Sequence, residues 1–399
     1  MNKWIFLCVL LLLSSLFLSP ILSGERVEIF GYFESQFMGA GIKDRFYQLY
    51  TNKLRVDLQS DVSETITFSA NFDYINYLGK KQWNILDFLT DDVTASIPRE
   101  ARPFYVIAFS DETFLDNAYI KMRFKPFDLI VGKQQISLGT GYVWNPTDIF
   151  NVKDPLDPTY EQPGHTALRV EVPLGSGSSL TALYSPEEEW KYSAKLIRYK
   201  NRVSHFDFHI IAAEKQWVFH DYTRLDTATG GFPGKPQKRS LLGADTAGEA
   251  FGLGIWAEFA YNWMEESKDF CELVIGGDYT FDFQTYVMVE YYRNTLGKTD
   301  HKNYGINDWM RFYASEQKAI ARDQVYLLIQ HPAMALLDLG LISVYSLSDG
   351  SAALVPTLRY SLSDNVDVFA YLNVNLGGAG KVFGKNTGSG GLLRVRVYF

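Results

Sequence analysis

The stretch that most constrains this chain is Gly391 to Phe399, Gly-Leu-Leu-Arg-Val-Arg-Val-Tyr-Phe. Leu393, Val395, Val397 and Phe399 share one parity, while Arg394, Arg396 and Tyr398 share the other. A period of two separates these sets on the opposite faces of a strand; a helix would mix them. The same alternation recurs along the chain. Ile66, Phe68, Ala70 and Phe72 alternate with Thr67, Ser69, Asn71 and Asp73, and Leu253 to Tyr261 and Val366 to Val374 repeat the pattern.

Three further observations narrow the class. Beyond the N-terminus, no segment approaches the roughly 18 to 20 apolar residues needed for a membrane-spanning helix. Aromatic residues make up 15% of the chain, with 25 Tyr and 28 Phe, a richness that suits the aromatic girdles of a transmembrane barrel. Lys3, the apolar run Ile5 to Leu18 and the polar stretch Ser19 to Gly24 read as a secretory signal peptide. Removing residues 1–24 leaves 399 − 24 = 375 residues and moves the formal charge from −8 to −9. Cys271 is then the one cysteine, so no internal disulfide is expected. The acidic balance argues against a nucleic-acid partner.

Half-apolar strands cross lipid only where every backbone group is paired around a closed ring. Eighteen candidate strands are found, from Arg26–Phe37 to Gly391–Phe399. Every even-to-odd connection is short, and the long insertions, Leu78 to Phe114, Leu138 to His165, Lys215 to Lys238 and Thr295 to Arg322, all fall on odd-to-even ones. That rhythm predicts short periplasmic turns and long extracellular loops. The weakest strand is Arg239 to Glu249, and without it the count would fall to sixteen.

The architecture, the terminal Phe399 and the signal peptide resemble bacterial outer-membrane β-barrel porins. The Gly132-Lys-Gln-Gln-Ile-Ser-Leu-Gly-Thr-Gly stretch running into Trp144-Asn-Pro-Thr-Asp148 is similar to the alginate-export class of barrel. The resemblance implies an all-β fold, a single closed antiparallel transmembrane barrel over residues 25–399, in the outer membrane. It also implies contact with lipid and lipopolysaccharide, assembly by the outer-membrane machinery and an assembly signal at Phe399. Monomer and trimer are both compatible with it.

If the apolar parity faces lipid, the other lines a lumen. Lys53, Arg55, Lys121, Arg123, Arg169, Lys195, Arg359, Arg394 and Arg396 then form a basic arc, with Glu258, Glu272, Asp278 and Glu290 opposite. Asp57, Asp73, Glu171, Asp207 and Asp367 are interspersed among the basic strands. Two readings stay open: a transverse field that orients solutes, or charges that only solvate the wall.

The insertion from Leu138 to His165 carries Trp144, Asn145 and Asp148, then Asp154, Asp157 and Glu161. Pro146, Pro155, Pro158 and Pro163 fix its turns. It could constrict the lumen, lie outside as a lid, or seat a plug through Trp144. His205, Asp207 and His209 alternate on one strand and could hold a metal, but they equally make an ordinary wetted strand, and no metal or cofactor is assigned. No Gly-x-Ser-x-Gly elbow is present. The expected function is a non-enzymatic channel for small polar solutes. The rivals are a barrel hydrolase acting on lipid or surface polymer, and an adhesin or receptor using the long loops.

Overall fold

The computed structural model describes residues 27–95, 97–157, 159–226 and 230–399. The signal-peptide segment and Pro158 lie outside the described residues. Eighteen antiparallel strands form one closed sheet. In chain order they are β1 (Val27–Ile42), β2 (Arg45–Ser63), β3 (Ile66–Gly79), β4 (Glu112–Arg123), β5 (Asp128–Gln135) and β6 (Gly164–Gly175). Then follow β7 (Ser178–Ser185), β8 (Ala194–Val203), β9 (Phe206–His220), β10 (Gly234–Ala250), β11 (Leu253–Met264) and β12 (Phe270–Thr280). The last six are β13 (Tyr286–Asn294), β14 (Asp323–Met334), β15 (Leu337–Ser346), β16 (Ser351–Ser363), β17 (Val366–Asn375) and β18 (Ser389–Tyr398).

Closure runs through β1 and β18, in register from Tyr32 opposite Tyr398 to Gly41 opposite Ser389. Phe399 extends it by exchanging two backbone hydrogen bonds of 3.1 Å with Gly31. A Cβ at Gly31 would sit 2.1 Å from the Arg55 carbonyl oxygen and 3.1 Å from the Phe399 ring. Glycine is therefore what lets three strands approach at the seam.

The weak candidate strand is real: β10 pairs with β9 over Gly234 to Gly248 and with β11 over Arg239 to Ala250, which excludes the sixteen-strand alternative. The insertion expected over Lys215 to Lys238 is shorter, because β9 and β10 continue as a long hairpin as far as His220 and Gly234. The turn between β8 and β9 falls at Ser204 and His205, later than the expected Asn201 and Arg202. Phe251 and Gly252 both take positive φ, 57° and 74°, the geometry of the tight two-residue turns that match strand twist.

Outward parity is apolar around the ring: Phe33, Phe68, Val131, Leu168, Ile197, Ile210, Phe259, Ile275, Val289, Leu372 and Leu393 are all exposed. That belt is what a barrel presents to lipid. Inside, the wall is not uniform. Val274, Met288, Leu328, Ile342, Val344 and Val355, inward on β12–β16, are buried in one hydrophobic cluster. Loop residues fill the other side of it: Ile85, Leu86, Leu89 and Tyr105 from residues 80–111, Val143 and Trp144 from 136–163, and Tyr222. Tyr304, Ile306, Trp309, Met310 and Ile320 from 295–322, with Val382 and Phe383 from 376–388, complete it. The one helix of more than a single turn among the described residues, α1 (Ile306–Tyr313), turns Ile306, Trp309 and Met310 inward at helical spacing. The lumen beside β12–β16 is thus packed like a soluble core.

Candidate functional site

The third loop, residues 136–163 between β5 and β6, folds into the barrel. Its first limb docks on two carboxylates that project inward from β11 and β13. Glu258 accepts from the backbone N–H groups of Thr140, Gly141 and Thr147 at 2.8, 3.0 and 2.6 Å and from the Thr147 hydroxyl at 2.8 Å. Glu290 accepts from the N–H groups of Tyr142, Val143 and Trp144 at 2.6, 3.0 and 3.0 Å and from Trp256 Nε1 at 2.7 Å. Between these anchors the Trp144 indole stacks on Tyr292, ring centroids 4.9 Å apart and planes 7° from parallel.

A buried network supports the same limb. Lys318, from the seventh loop (residues 295–322), donates from Nζ to the Asn145 carbonyl at 2.6 Å and lies 3.4 Å from Glu272. Glu272 also accepts from the Tyr292 hydroxyl at 2.5 Å and faces Arg239 at 3.6 Å. Burial pulls the Lys318 ammonium below its ordinary range, and Glu272 opposes that shift. Lys215 on β9 donates to the Ile149 carbonyl at 3.2 Å.

The acidic wall read from the sequence needs correction here. Glu258, Glu272 and Glu290 do point inward, but they are 1%, 1% and 0% exposed. They lie under the loop and serve its backbone amides and buried cations, so they line no water. Asp278 accepts from the Tyr286 hydroxyl at 2.8 Å.

The second limb reaches the far side of the ring. Glu161 accepts from Lys53 Nζ at 2.7 Å, Arg396 Nη2 at 2.8 Å and the Tyr32 hydroxyl at 2.9 Å, on β2, β18 and β1. Burial pushes its carboxyl up, but Lys53 and the hydrogen bonds outweigh that and hold it at about 2. The loop is therefore clamped to two facing walls.

Of the candidate loop residues, Trp144 and Asn145 make these clamps. Asp148, Asp154 and Asp157 turn back on their own backbone: Asp148 accepts from Phe150 and Asn151 N–H, Asp154 from Leu156, and Asp157 from Thr159. They shape the loop's turns.

Arg394 lies 3.5 Å and Arg396 2.6 Å from Glu34 on β1. Arg55 pairs with Asp57 at 2.9 Å and Asp116 at 3.4 Å, where a bulge in β4 skips Asp116 in the pairing and brings it and Asn117 to one side. Lys121 pairs with Asp128 at 3.0 Å and Arg169 with Glu171 at 3.3 Å. Arg123 and Arg359 are exposed near the turn end. Lys195 is a correction: it sits on the lipid-side parity with Ile197, at the loop rim, paired with Glu214 at 2.7 Å. Leu196 and Ile197 are both apolar, so alternation cannot choose between them; packing of Leu196 against Ile136 and Ile149 inside the lumen does.

His205 lies in a turn, Asp207 pairs with Lys200 and Arg202, and His209 with Asp245 at 2.6 Å. The three do not converge. Sequence reasoning missed Glu34, Arg239 and Lys318. Glu34 carried the inward parity of β1 and could have been found; Lys318, on a loop, had no periodic signal.

Fold and site together define a transmembrane β-barrel with an inward-folded loop clamped across its lumen. No protein-family model and no curated protein sequence matches the chain. Among solved structures, Acinetobacter baumannii OccAB1 is similar in fold, with a TM-score of 0.57 at 9% identity over 95% of this chain and 97% of that one. OmpT, an outer membrane protein of Vibrio cholerae, aligns at TM-score 0.48 and 10% identity over 94% and 100% of the two chains. A Rhodopseudomonas blastica porin triple mutant aligns at 0.47 and 13%, over 94% and 100%.

Proposed function

We propose that this chain is a non-enzymatic outer-membrane channel for the selective passage of small hydrophilic solutes. The observation that carries the reading is the third loop, fixed at Glu258 and Glu290 on one wall and through Glu161 on the other. A loop held at both ends inside a barrel sets the bore, as a lid lying outside would not. Solutes then travel between this loop and the charged arc of β16–β6, while the apolar cluster of β12–β16 fills the rest. Charges on that arc act over a Debye length of about 8 Å at physiological salt, so they bias which ions pass. The outer membrane is the compartment where a barrel of this kind, with an apolar belt and short turns at one end, is stable. Planar-bilayer recording of the purified chain tests the reading. Discrete conductance steps without added substrate support it; a protein that inserts and never conducts refutes it.

A further inference from the structure

At the turn end, the inner wall of β5–β8 and the β4–β5 turn encloses a cavity of about 380 Å³, lined among others by Phe124, Phe127, Glu171, Thr181, Arg198 and Lys200. Its size falls within the roughly 300–1,000 Å³ of small-molecule sites. It lies apart from the loop clamp and takes no part in it.

The lining carries two carboxylates, Asp128 and Glu171, and two cations, Arg198 and Lys200. Asp128 is taken by Lys121 at 3.0 Å, Glu171 by Arg169 at 3.3 Å, and Asp207 by Lys200 and Arg202 at 3.0 and 2.9 Å. Each lining carboxylate thus has a cation from beyond the lining, Lys200 has Asp207, and among the described residues Arg198 has no ion pair. The partners of Arg198 on the neighbouring strands are Thr181 and Ile211, and neither is an anion. Its Nε is buried with no hydrogen-bond partner. A guanidinium that lines a cavity and has no anion of its own is set for a planar anion, which its terminal NH2 groups hold through two parallel N–H···O bonds. Beside it, the Phe124 and Phe127 rings stand 4.9 Å apart at 39° and offer an apolar surface on which another ring can pack. The cavity's own carboxylates are already neutralised and leave the site open to an incoming one.

We propose that this cavity binds a small aromatic carboxylate, with the carboxylate on Arg198 and the ring against Phe124 and Phe127. The site adds a holding step near the turn end to the channel reading. It rests on that reading only in requiring a water-filled lumen there.

Calorimetric titration of the detergent-solubilised full chain with benzoate tests it, and conductance is not needed. Saturable benzoate binding is expected, with benzyl alcohol, acetate and inorganic phosphate each at least tenfold weaker. Arg198→Gln should weaken benzoate at least tenfold, about 1.4 kcal/mol, and so should Phe124→Ala combined with Phe127→Ala. Lys191→Gln, at the opposite rim, should leave it unchanged. Should Arg198→Gln fail to assemble, Arg198→Lys keeps the charge without the planar fork and should weaken benzoate at least threefold. Absence of saturable benzoate binding overturns the proposal. Unchanged affinity in the arginine variant, or phosphate or benzyl alcohol binding as tightly as benzoate, does so too. A barrel that binds benzoate but does not conduct keeps this site and loses the channel; one that conducts without binding does the reverse.

Discussion

Glu290→Gln is the substitution with the sharpest consequence. In the native site four N–H donors converge on one carboxylate: Val143 and Trp144 on Oε1, Tyr142 and Trp256 on Oε2. Glutamine keeps one oxygen and puts an NH2 group where the other stood, so two donors face a donor in a site with no exposure. Leaving a buried donor unsatisfied costs about 1–3 kcal/mol, so two cost about 2–6 kcal/mol, charged against the docked loop alone. The Trp144 stack and the Glu258 anchor remain, so the loop is expected to undock part of the time and the barrel to stay intact. In planar bilayers the variant should show higher mean conductance and added open-channel noise, and protease should cut within residues 136–163 faster than in the native protein. Heat-modifiable mobility should not change. If conductance, noise and cleavage all match the native protein, the carboxylate does not hold the loop and the clamp argument is wrong. A pure shift in ion preference without added noise would equally refute it, for that is the signature of a water-facing charge.

Replacing Arg394 and Arg396 together with Gln should move the zero-current potential in a salt gradient toward cation preference, since it removes two lumen cations and leaves Glu34 behind; an unmoved potential counts against the basic arc. Glu161 carries a pH prediction. A carboxyl depressed to about 2 contributes its attachment above the ordinary range near 4.3 and loses it as pH falls through about 2, so conductance should hold from pH 7 to 4 and turn noisy below about 3. Glu161→Gln should show that noise already at pH 7. Phe399→Ser, which removes the ring beside Gly31 at the seam, should reduce the heat-modifiable fraction recovered from membranes, and equal yields would refute it.

How far the sequence could be read followed from periodicity. The strands were legible because lipid on one side and water on the other impose a period of two, as on β18 and β3. Strand ends were less so: β1 runs on through Met38 and Ile42, and β9 through Trp217 and His220, where the outer environment is no longer lipid. Beside the plug the contrast vanishes altogether. On β14 and β16, Val325 to Ile329 and Ala352 to Val355 are apolar on both faces, because the inner face meets protein. For the carboxylates of β11–β13 alternation gives the face but not the neighbour, since nothing periodic in residues 136–163 says where that loop docks. Glu161 and Lys318 find their partners more than a hundred and about fifty to a hundred and seventy positions away in the chain, respectively, and only the closed ring brings them together.

The interior cluster of β12–β16 changes how mutations should be distributed in this protein. In an ordinary barrel the connections at one end drift freely, while the wall is conserved for lipid. Here Ile85, Leu89, Trp309, Ile320 and Phe383 sit on connections and are buried in one cluster with strand residues. Shortening one of them by a few carbons opens a void of the kind that costs about 2–5 kcal/mol in a globular core. Many lipid-facing positions of β1–β9, in contact with nothing but solvent hydrocarbon, accept any apolar side chain of similar length. A library randomised over this chain should therefore survive best on the membrane surface and worst in its connections, and antibody escape or loop grafting at this end would have to avoid the residues that look most dispensable.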